Sequence, residues 1–343
     1  MQSRTTVRTA CAVLFIAAAL APEPIRAAEP SSMSTESVPP TSTNVEPSPH
    51  GRILNGHAFM PALDVPGALV TTSFVSGLLI AAGETSGTFT TPKGQTLSGN
   101  FDYAGIGAVV GYEYAFLNYF SVRIALTELL FSGTSGKSAV VIGTGLQGGA
   151  GLGATASLPV GDTLRLGILF DVSATPKFGL TIGNGLKGLI ETCQGSAGQA
   201  CDIHAGDFFQ NNNVISIQPA LAANWAPIPA LGVTANGSYI DARQHLSGET
   251  FYGQALQLGA ALDWDFGAIS SVPIGLQVQF SWIAPISGSG LQHVSDIGGG
   301  IFYTGRKNLA LGVQVIDRRF AVTPDVDVSW KTFLVDIGMR YYW

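Results

Sequence analysis

The chain has 343 residues, of which 12% are charged, a net charge of −6 and a mean hydropathy of +0.31. Beyond the N-terminus its longest uncharged stretches are broken by glycine, serine and threonine, which argues against membrane-spanning helices of about 20 apolar residues. The acidic balance argues against a nucleic-acid partner.

The N-terminus has the features of a secretory signal peptide. Arg4 and Arg8 precede a short apolar segment, and small residues suit cleavage after Ala27 or Ala28. Residues 1–28 are therefore predicted to be removed on export.

The segment that follows cannot form a core of its own. Residues 29–52 are rich in Pro, Ser, Thr and Glu, so we predict a disordered leader in the periplasm. Residues 53–343 are predicted to form a single barrel domain. Residues 51–67 are more apolar and contain two prolines. Two predictions stay open for them, a plug inside the barrel or a lining of its periplasmic mouth.

From residue 68 onward, segments with a period of two follow one another. Such alternation places one set of side chains on each face of a strand. In the eighth segment, for example, Leu256 and Leu258 alternate with Gln257 and Gly259. Twelve strands are predicted, at 68–80, 101–115, 119–131, 144–158, 163–174, 213–226, 231–243, 253–266, 273–285, 293–304, 308–318 and 331–343.

The connections between these strands alternate in length. Those after the even-numbered strands have about three to six residues, as expected for the periplasmic turns of a membrane barrel. Those after odd-numbered strands are longer, among them 81–100, 132–143, 175–212 and 319–330. Short periplasmic turns, longer extracellular loops and both termini in the periplasm are therefore predicted. Aromatic residues near both ends of the strands are predicted to form girdles at the two membrane interfaces.

The last strand, KTFLVDIGMRYYW, has the cleanest pattern. Phe333, Val335, Ile337, Met339, Tyr341 and Trp343 form an apolar set that ends on the final residue. This strand resembles the C-terminal strand of Gram-negative outer-membrane β-barrels, which ends in an aromatic residue. The resemblance implies that Tyr341 and Trp343 belong to the signal read by the barrel-assembly machinery. The fold predicted overall is a twelve-stranded antiparallel transmembrane β-barrel in the outer membrane.

The inward-facing sets carry the polar chemistry. They are rich in Gly, Ser, Thr, Gln and Asn, and they contain eight charged residues: Glu113, Arg123, Arg165, Asp171, Asp263, Asp265, Asp336 and Arg340. Opposite charges in a low-dielectric interior should pair, since an unpaired one is costly. We predict a salt-bridged constriction near the periplasmic end, which would either hold the barrel shut or select among solutes.

Two cysteines remain after the signal peptide. In an oxidising compartment, Cys193 and Cys201 favour a local disulfide within the longest external loop. Asp202, His204 and Asp207, with His245 one loop away, are a weaker candidate for a divalent cation, and ordinary loop residues are the preferred interpretation. No cofactor and no metal site are predicted.

One short motif raises the question of catalysis. His293 and Ser295 resemble the His-x-Ser pair of the outer-membrane phospholipase, although Asp296 stands where that family has Asn. Two residues two apart on a strand share a face, so a nucleophile and a base would lie together. The surrounding sequence does not otherwise match, and no catalytic residue is assigned.

The function predicted from the sequence is a channel or transporter that passes small solutes through a polar lumen, and not an enzyme. A lipase using His293 and Ser295, and a non-conducting structural or surface-interaction barrel, are the alternatives. The predicted partners are outer-membrane lipid, the barrel-assembly machinery and an unidentified small solute. By analogy with the size of trimeric porins, a monomer is expected.

Overall fold

The computed structural model describes residues 51–90, 96–135, 138–180, 209–246, 249–288, 293–320 and 328–343. Twelve long antiparallel strands follow one another in chain order, and the last pairs with the first to close a barrel. A two-stranded hairpin precedes them. Among the described residues, no helix is long and apolar enough to span a membrane.

The small hairpin consists of β1 (Ile53–Leu54) and β2 (His57–Ala58). The barrel strands are β3 (Ser73–Thr90), β4 (Thr96–Leu117), β5 (Phe120–Ser135), β6 (Ser138–Val160), β7 (Leu164–Leu180), β8 (Phe209–Ile228), β9 (Leu231–Leu246), β10 (Glu249–Asp265), β11 (Ile274–Gly288), β12 (Val294–Tyr303), β13 (Leu309–Phe320) and β14 (Val328–Tyr342). A short 3-10 turn, Phe266–Ala268, follows β10. The twelve-stranded antiparallel barrel predicted from the sequence is confirmed.

The two faces of the wall differ in polarity as the alternation predicts. On β14, Phe333, Ile337 and Tyr341 are exposed on the outside, while Thr332 and Asp336 are buried inside. The same division holds on β10 and β11, whose inward Gln257, Asp263, Asp265, Gln277, Gln279 and Ser281 are all buried. The barrel therefore presents an apolar outer surface and a polar interior.

Several strands run further than predicted at one end of the barrel. The range 81–100, predicted as a loop, is paired strand except for residues 91–95, which lie outside the described residues. The range 132–143 is likewise strand on both sides of residues 136–137. Backbone N–H and C=O groups can form hydrogen bonds between strands whatever the side chains are. The hairpins therefore continue past the apolar belt through segments rich in Gly, Ser and Thr. We call this the loop end and the opposite end, which holds Trp343, the turn end.

Aromatic rings surround the turn end. Tyr112 and Tyr341 each lie 5.7 Å from Trp343 between ring centroids, and Phe116 stacks on Phe120 at 6.1 Å. All five side chains are exposed on the outer surface. At the loop end, Phe280, Trp282 and Tyr252 are exposed in the same way. Phe131 does not join this outer set, because it pairs with Gly105 on the inward-facing side of the wall.

The predicted start of the first strand is wrong. Residues 68–72 are not part of a strand, although Thr72 accepts one backbone hydrogen bond from Trp343, and β3 begins only at Ser73. Instead, residues 51–72 lie within the lumen, where most of their side chains are buried or half-buried. We call residues 51–72 the plug. Of the two interpretations left open by the sequence, the structure shows the one in which this segment enters the barrel.

Candidate functional site

The plug begins with a tight hairpin at the turn end. Asn55 and Gly56 connect β1 to β2 with φ angles of 48° and 79°, and Asn and Gly are the residues that adopt this left-handed region most readily. The Asn55 side chain donates to the carbonyl oxygens of Ala226 and Pro227 at 2.9 and 3.3 Å. The hairpin is thereby tied to the β8–β9 turn.

Arg52 fixes the same hairpin to another turn. Its guanidinium donates to the carbonyl oxygens of Arg306, Lys307 and Leu309, and to that of Phe59 in the plug, at 2.8 to 3.2 Å. The side chain is only 1% exposed, and burial lowers the pKa of Arg52 below its usual value. Arg52 was the last residue of the predicted leader, and it is the main anchor of the plug.

The plug rises from the hairpin to an apex at Asp64 and then returns to Thr72. Its rising arm, residues 57–63, fits against glycines in the wall. The His57 ring occupies the space that a side chain at Gly232 would fill, and Met60 does the same at Gly275. The Met60 backbone N–H donates to Asp263 at 3.0 Å, and Gln277 donates to the Met60 carbonyl oxygen at 3.1 Å. These contacts hold the arm through its backbone and so fix its position along the lumen.

The apex of the plug carries its one carboxylate. Asp64 accepts a hydrogen bond from Arg318 Nη2 at 2.8 Å, and Asp296 accepts two more from the same guanidinium at 2.8 Å. Gln257 donates to the Asp64 carbonyl oxygen at 3.3 Å. Arg318 therefore joins the apex of the plug to the inner face of the wall, toward the loop end of β13. Arg318 was not among the residues predicted to line the lumen, although it shares the inward parity of β13 with Gln314.

The descending arm is packed mainly by small apolar residues. Ala68 is fully buried against Leu169, Ala220 and Ala222, and its backbone N–H donates to Asn224. Leu63 packs near the apex against Ala81, Ile316 and Leu334. The arm ends at Thr72, whose carbonyl oxygen accepts the backbone N–H of Trp343 at 3.2 Å.

Two of the predicted charges form a buried network at the turn end. Arg340 Nη2 donates to Glu113, and its Nε donates to Ser73 at 2.9 Å. Glu113 also accepts hydrogen bonds from Thr71 at 2.9 Å and Ser121 at 2.7 Å. The last residues of the plug thus share one carboxylate with the wall.

Arg123 and Asp171 form a second pair, across a strand. Arg123 Nε donates to Asp171 at 3.0 Å, although the two residues lie on β5 and β7. Gly153 on β6 stands between them in register, and a Cβ there would overlap both groups. This glycine has a specific use, because its missing side chain lets the pair close over the strand.

The other four predicted charges are placed separately. Asp263 accepts from Gln277 at 2.8 Å as well as from Met60, and Asp265 accepts the N–H of Gly267 at 2.9 Å. Asp336 accepts from Gln314 at 3.4 Å. Arg165, half-buried in the wall, makes no ion pair among the described residues. Four of the eight charges thus form two ion pairs, and Asp263, Asp265 and Asp336 accept separate hydrogen bonds.

A cavity of about 110 Å³ remains between the plug and the wall. Polar residues in its lining include Arg52, Glu113, Arg123, Asn224 and Arg340. The plug and the wall together line this small cavity, which lies beside the Glu113–Arg340 pair.

The remaining candidates lie elsewhere. His293 is exposed at the loop end and stacks on Trp282 at 6.1 Å, and no hydrogen bond joins it to Ser295 in the described part of the chain. Asp296 turns into the lumen toward Arg318, so it cannot serve as a third member of the pair. His245 bonds to Thr250 at 2.9 Å. Cys193, Cys201, Asp202, His204 and Asp207 lie outside the described residues.

The closed wall, its apolar outer surface and its polar interior together identify the class. The chain has the fold of a transmembrane β-barrel. No protein-family model matches it, and no curated protein matches it.

Solved structures similar to the barrel include two autotransporter domains and one channel. The translocator domain of NalP from Neisseria meningitidis is 13% identical with a TM-score of 0.48, over 82% of this chain and 91% of that one. The transport unit of AIDA-I from Escherichia coli is 11% identical with a TM-score of 0.47, over 84% and 95%. The TodX deltaS2S3 mutant, a monoaromatic hydrocarbon channel, is 10% identical with a TM-score of 0.43, over 81% and 91%.

Proposed function

We propose that this barrel is a gated channel for small polar solutes, and that the plug keeps it closed. The proposed path runs through the lumen from the loop end to the turn end. Movement of residues 51–72 toward the turn end would open it. The proposal assigns no catalytic activity to the chain.

The observation that carries the proposal is how the plug is attached. It is held by separate polar contacts at Arg52, Met60, Asp64 and Thr71, each to a different part of the wall. The wall behind it is itself polar, with Gln277, Gln279, Ser281, Asn236 and Gln314 all buried. A polar wall keeps water and solutes favourable in the lumen once the plug has left, whereas an apolar core would not.

One alternative keeps the same fold without conduction. Ala68 and Leu63 pack into small apolar clusters with the wall, as core residues do. A barrel filled in this way would be a structural or surface-interaction protein, with the plug as its permanent core.

Conductance measurements separate the two functions. Wild-type barrel and a variant lacking residues 53–70 would be refolded, checked for the heat-dependent gel mobility of a closed barrel, and recorded in planar bilayers. A gated channel predicts rare openings for the wild type and a lasting conductance for the deletion. A folded deletion variant that never conducts would refute the channel and favour the structural barrel. A wild-type barrel that is always open would show that the plug does not close the lumen.

The charge preference of the proposed channel can be tested at the Arg123–Asp171 and Glu113–Arg340 pairs. If these groups line the open path, exchanging Arg123 for Gln in the plug-deleted barrel shifts the ratio of cation to anion permeability toward cations. Unchanged selectivity would indicate that the pairs only stabilise the barrel. Arg319→Gln, on the outer surface, is the matched control because it removes the same charge outside the lumen.

A further inference from the structure

The plug is bound to the wall largely through its own backbone. From Phe59 to Thr72 it forms neither helix nor strand, so the N–H and C=O groups of this stretch need partners elsewhere. Side chains of β8, β10 and β11 supply four of these partners, which makes the inner face of the wall a surface that binds polypeptide backbone. The four contacts are Asp263 and Gln277 to Met60, Gln257 to Asp64, and Asn224 to Ala68.

Two of these side chains hold both backbone groups of one residue. The Met60 N–H donates to Asp263 Oδ2 at 3.0 Å, and the Met60 carbonyl oxygen accepts from Gln277 Nε2 at 3.1 Å. Gln277 also donates to Asp263 Oδ1 at 2.8 Å, so the acceptor and the donor are joined to each other. We call Asp263 and Gln277 the backbone clamp. Neither of its contacts involves the Met60 side chain, so the clamp can hold any residue that has a backbone N–H.

The other two contacts come from side chains that the wall itself orients. Gln257 accepts a hydrogen bond from Gln218 at 2.8 Å, and Asn224 donates to Thr234 at 2.8 Å. These bonds do not involve the plug, so they keep both side chains in place when the plug leaves. A site that is ordered before its ligand arrives loses less conformational entropy on binding.

The plug side chains beside these contacts lie over glycines of the wall. In each case a Cβ added to the glycine would meet the plug side chain. The pairs are Met60 with Gly275, Val65 with Gly259, and Ala68 with Gly167. The three side chains differ in size and all are apolar, so these spaces set only loose limits on sequence. Backbone hydrogen bonds then supply the affinity, and the spaces over the glycines supply the selectivity.

We propose that the lumen binds short peptides through their backbone, and that the plug occupies the peptide site in the closed barrel. The inference rests on the proposed function for transport, since the solutes of the gated channel are then short peptides. A peptide that takes the backbone clamp competes with the plug, so it shifts the barrel toward its open state.

Peptide binding is measured on the refolded barrel that lacks residues 53–70, because no plug then competes. The probe is a fluorescent synthetic peptide with the sequence of residues 53–70, and its binding is followed by fluorescence anisotropy. Methylating the Met60 nitrogen of the probe removes the hydrogen bond to Asp263 and should weaken binding at least tenfold. Methylating the Ala62 nitrogen is the matched control, since that N–H has no hydrogen bond in the described part of the chain.

Competition tests whether the backbone is what the wall recognises. Tetra-alanine with acetylated and amidated ends should displace the probe, because it offers backbone N–H and C=O groups and only methyl side chains. Maltotriose, another uncharged solute with many hydrogen-bonding groups, should not displace it. Gln277→Leu should weaken tetra-alanine binding at least fivefold, whereas Gln314→Leu, which removes an inward amide bonded to Asp336, should not. Displacement by both solutes alike, or by neither, would overturn the proposal.

The outcomes separate the peptide site from the channel itself. Peptide binding by a deletion barrel that never conducts would support the peptide site and refute the channel. Conduction without peptide binding would overturn the peptide site alone. A full-length Asp64→Ala barrel gives a second measurement that does not require the deletion variant to fold. There the blocked tetra-alanine should raise the hydrogen-exchange rate of residues 57–65 severalfold, and an unchanged rate would also overturn the proposal.

Discussion

Exchanging Asp64 for Ala tests whether the apex holds the plug in the lumen. The change removes one hydrogen bond of 2.8 Å between a carboxylate and the buried guanidinium of Arg318. Asp296 keeps its own two bonds to that guanidinium, so the wall keeps a paired charge. Hydrogen bonds to charged groups contribute about 1.5–3 kcal/mol.

That energy enters only when the plug is seated, because a displaced Asp64 is solvated. The ratio of open to closed barrel should therefore rise about 10- to 100-fold, since about 1.4 kcal/mol corresponds to a factor of ten. Single-channel recording gives this ratio directly from open probability. Asp317→Ala, which breaks an exposed carboxylate–arginine pair on the outer surface, is the control and should change nothing. An unchanged open probability in a correctly folded Asp64→Ala barrel would refute the role of the apex.

Three further outcomes are expected. Replacing Gly232 by Val should push the new side chain against the His57 ring and weaken plug seating by about 1–3 kcal/mol. Added protease should then cleave residues 51–72 faster than in the wild type, and equal cleavage rates for the wild-type and Gly232→Val barrels would contradict this. Deleting Tyr341–Trp343 should block assembly, so normal outer-membrane insertion of the truncated chain would rule out an assembly role. The denatured mature protein should react with no thiol reagent before reduction and with two equivalents afterwards, because Cys193 and Cys201 are predicted to be paired.

The wall of the barrel could be predicted because its signal is local. On β14, alternation over thirteen residues separates lipid-facing from inward-facing side chains, and each strand repeats the rule. In lipid, every backbone N–H and C=O must be paired within the protein, so a chain of such strands has to close. Closure of β14 on β3 needs no further information.

The plug could not be predicted in the same way. Ala68–Thr72 was assigned to the first strand because small and apolar residues there suit either a wall or a packed interior. Arg318 bonds to a residue 254 positions earlier in the chain, and no local pattern reports such a contact. The inward glycines carried part of the signal, since Gly232 and Gly275 leave the space that His57 and Met60 occupy. Without the fold, a missing side chain does not reveal what fills its place.

The course of the plug also bears on how the molecule can be assembled. Arg52 is held beside the β12–β13 turn, and Ser73 begins β3 at the same rim, so the segment enters and leaves the lumen by one opening. The plug is therefore inserted from the turn end and does not pass through the barrel to the loop end. The strands can therefore close into a barrel first, and the plug can enter the lumen afterwards. For the same reason the plug can leave the lumen as a whole while every pairing between strands persists.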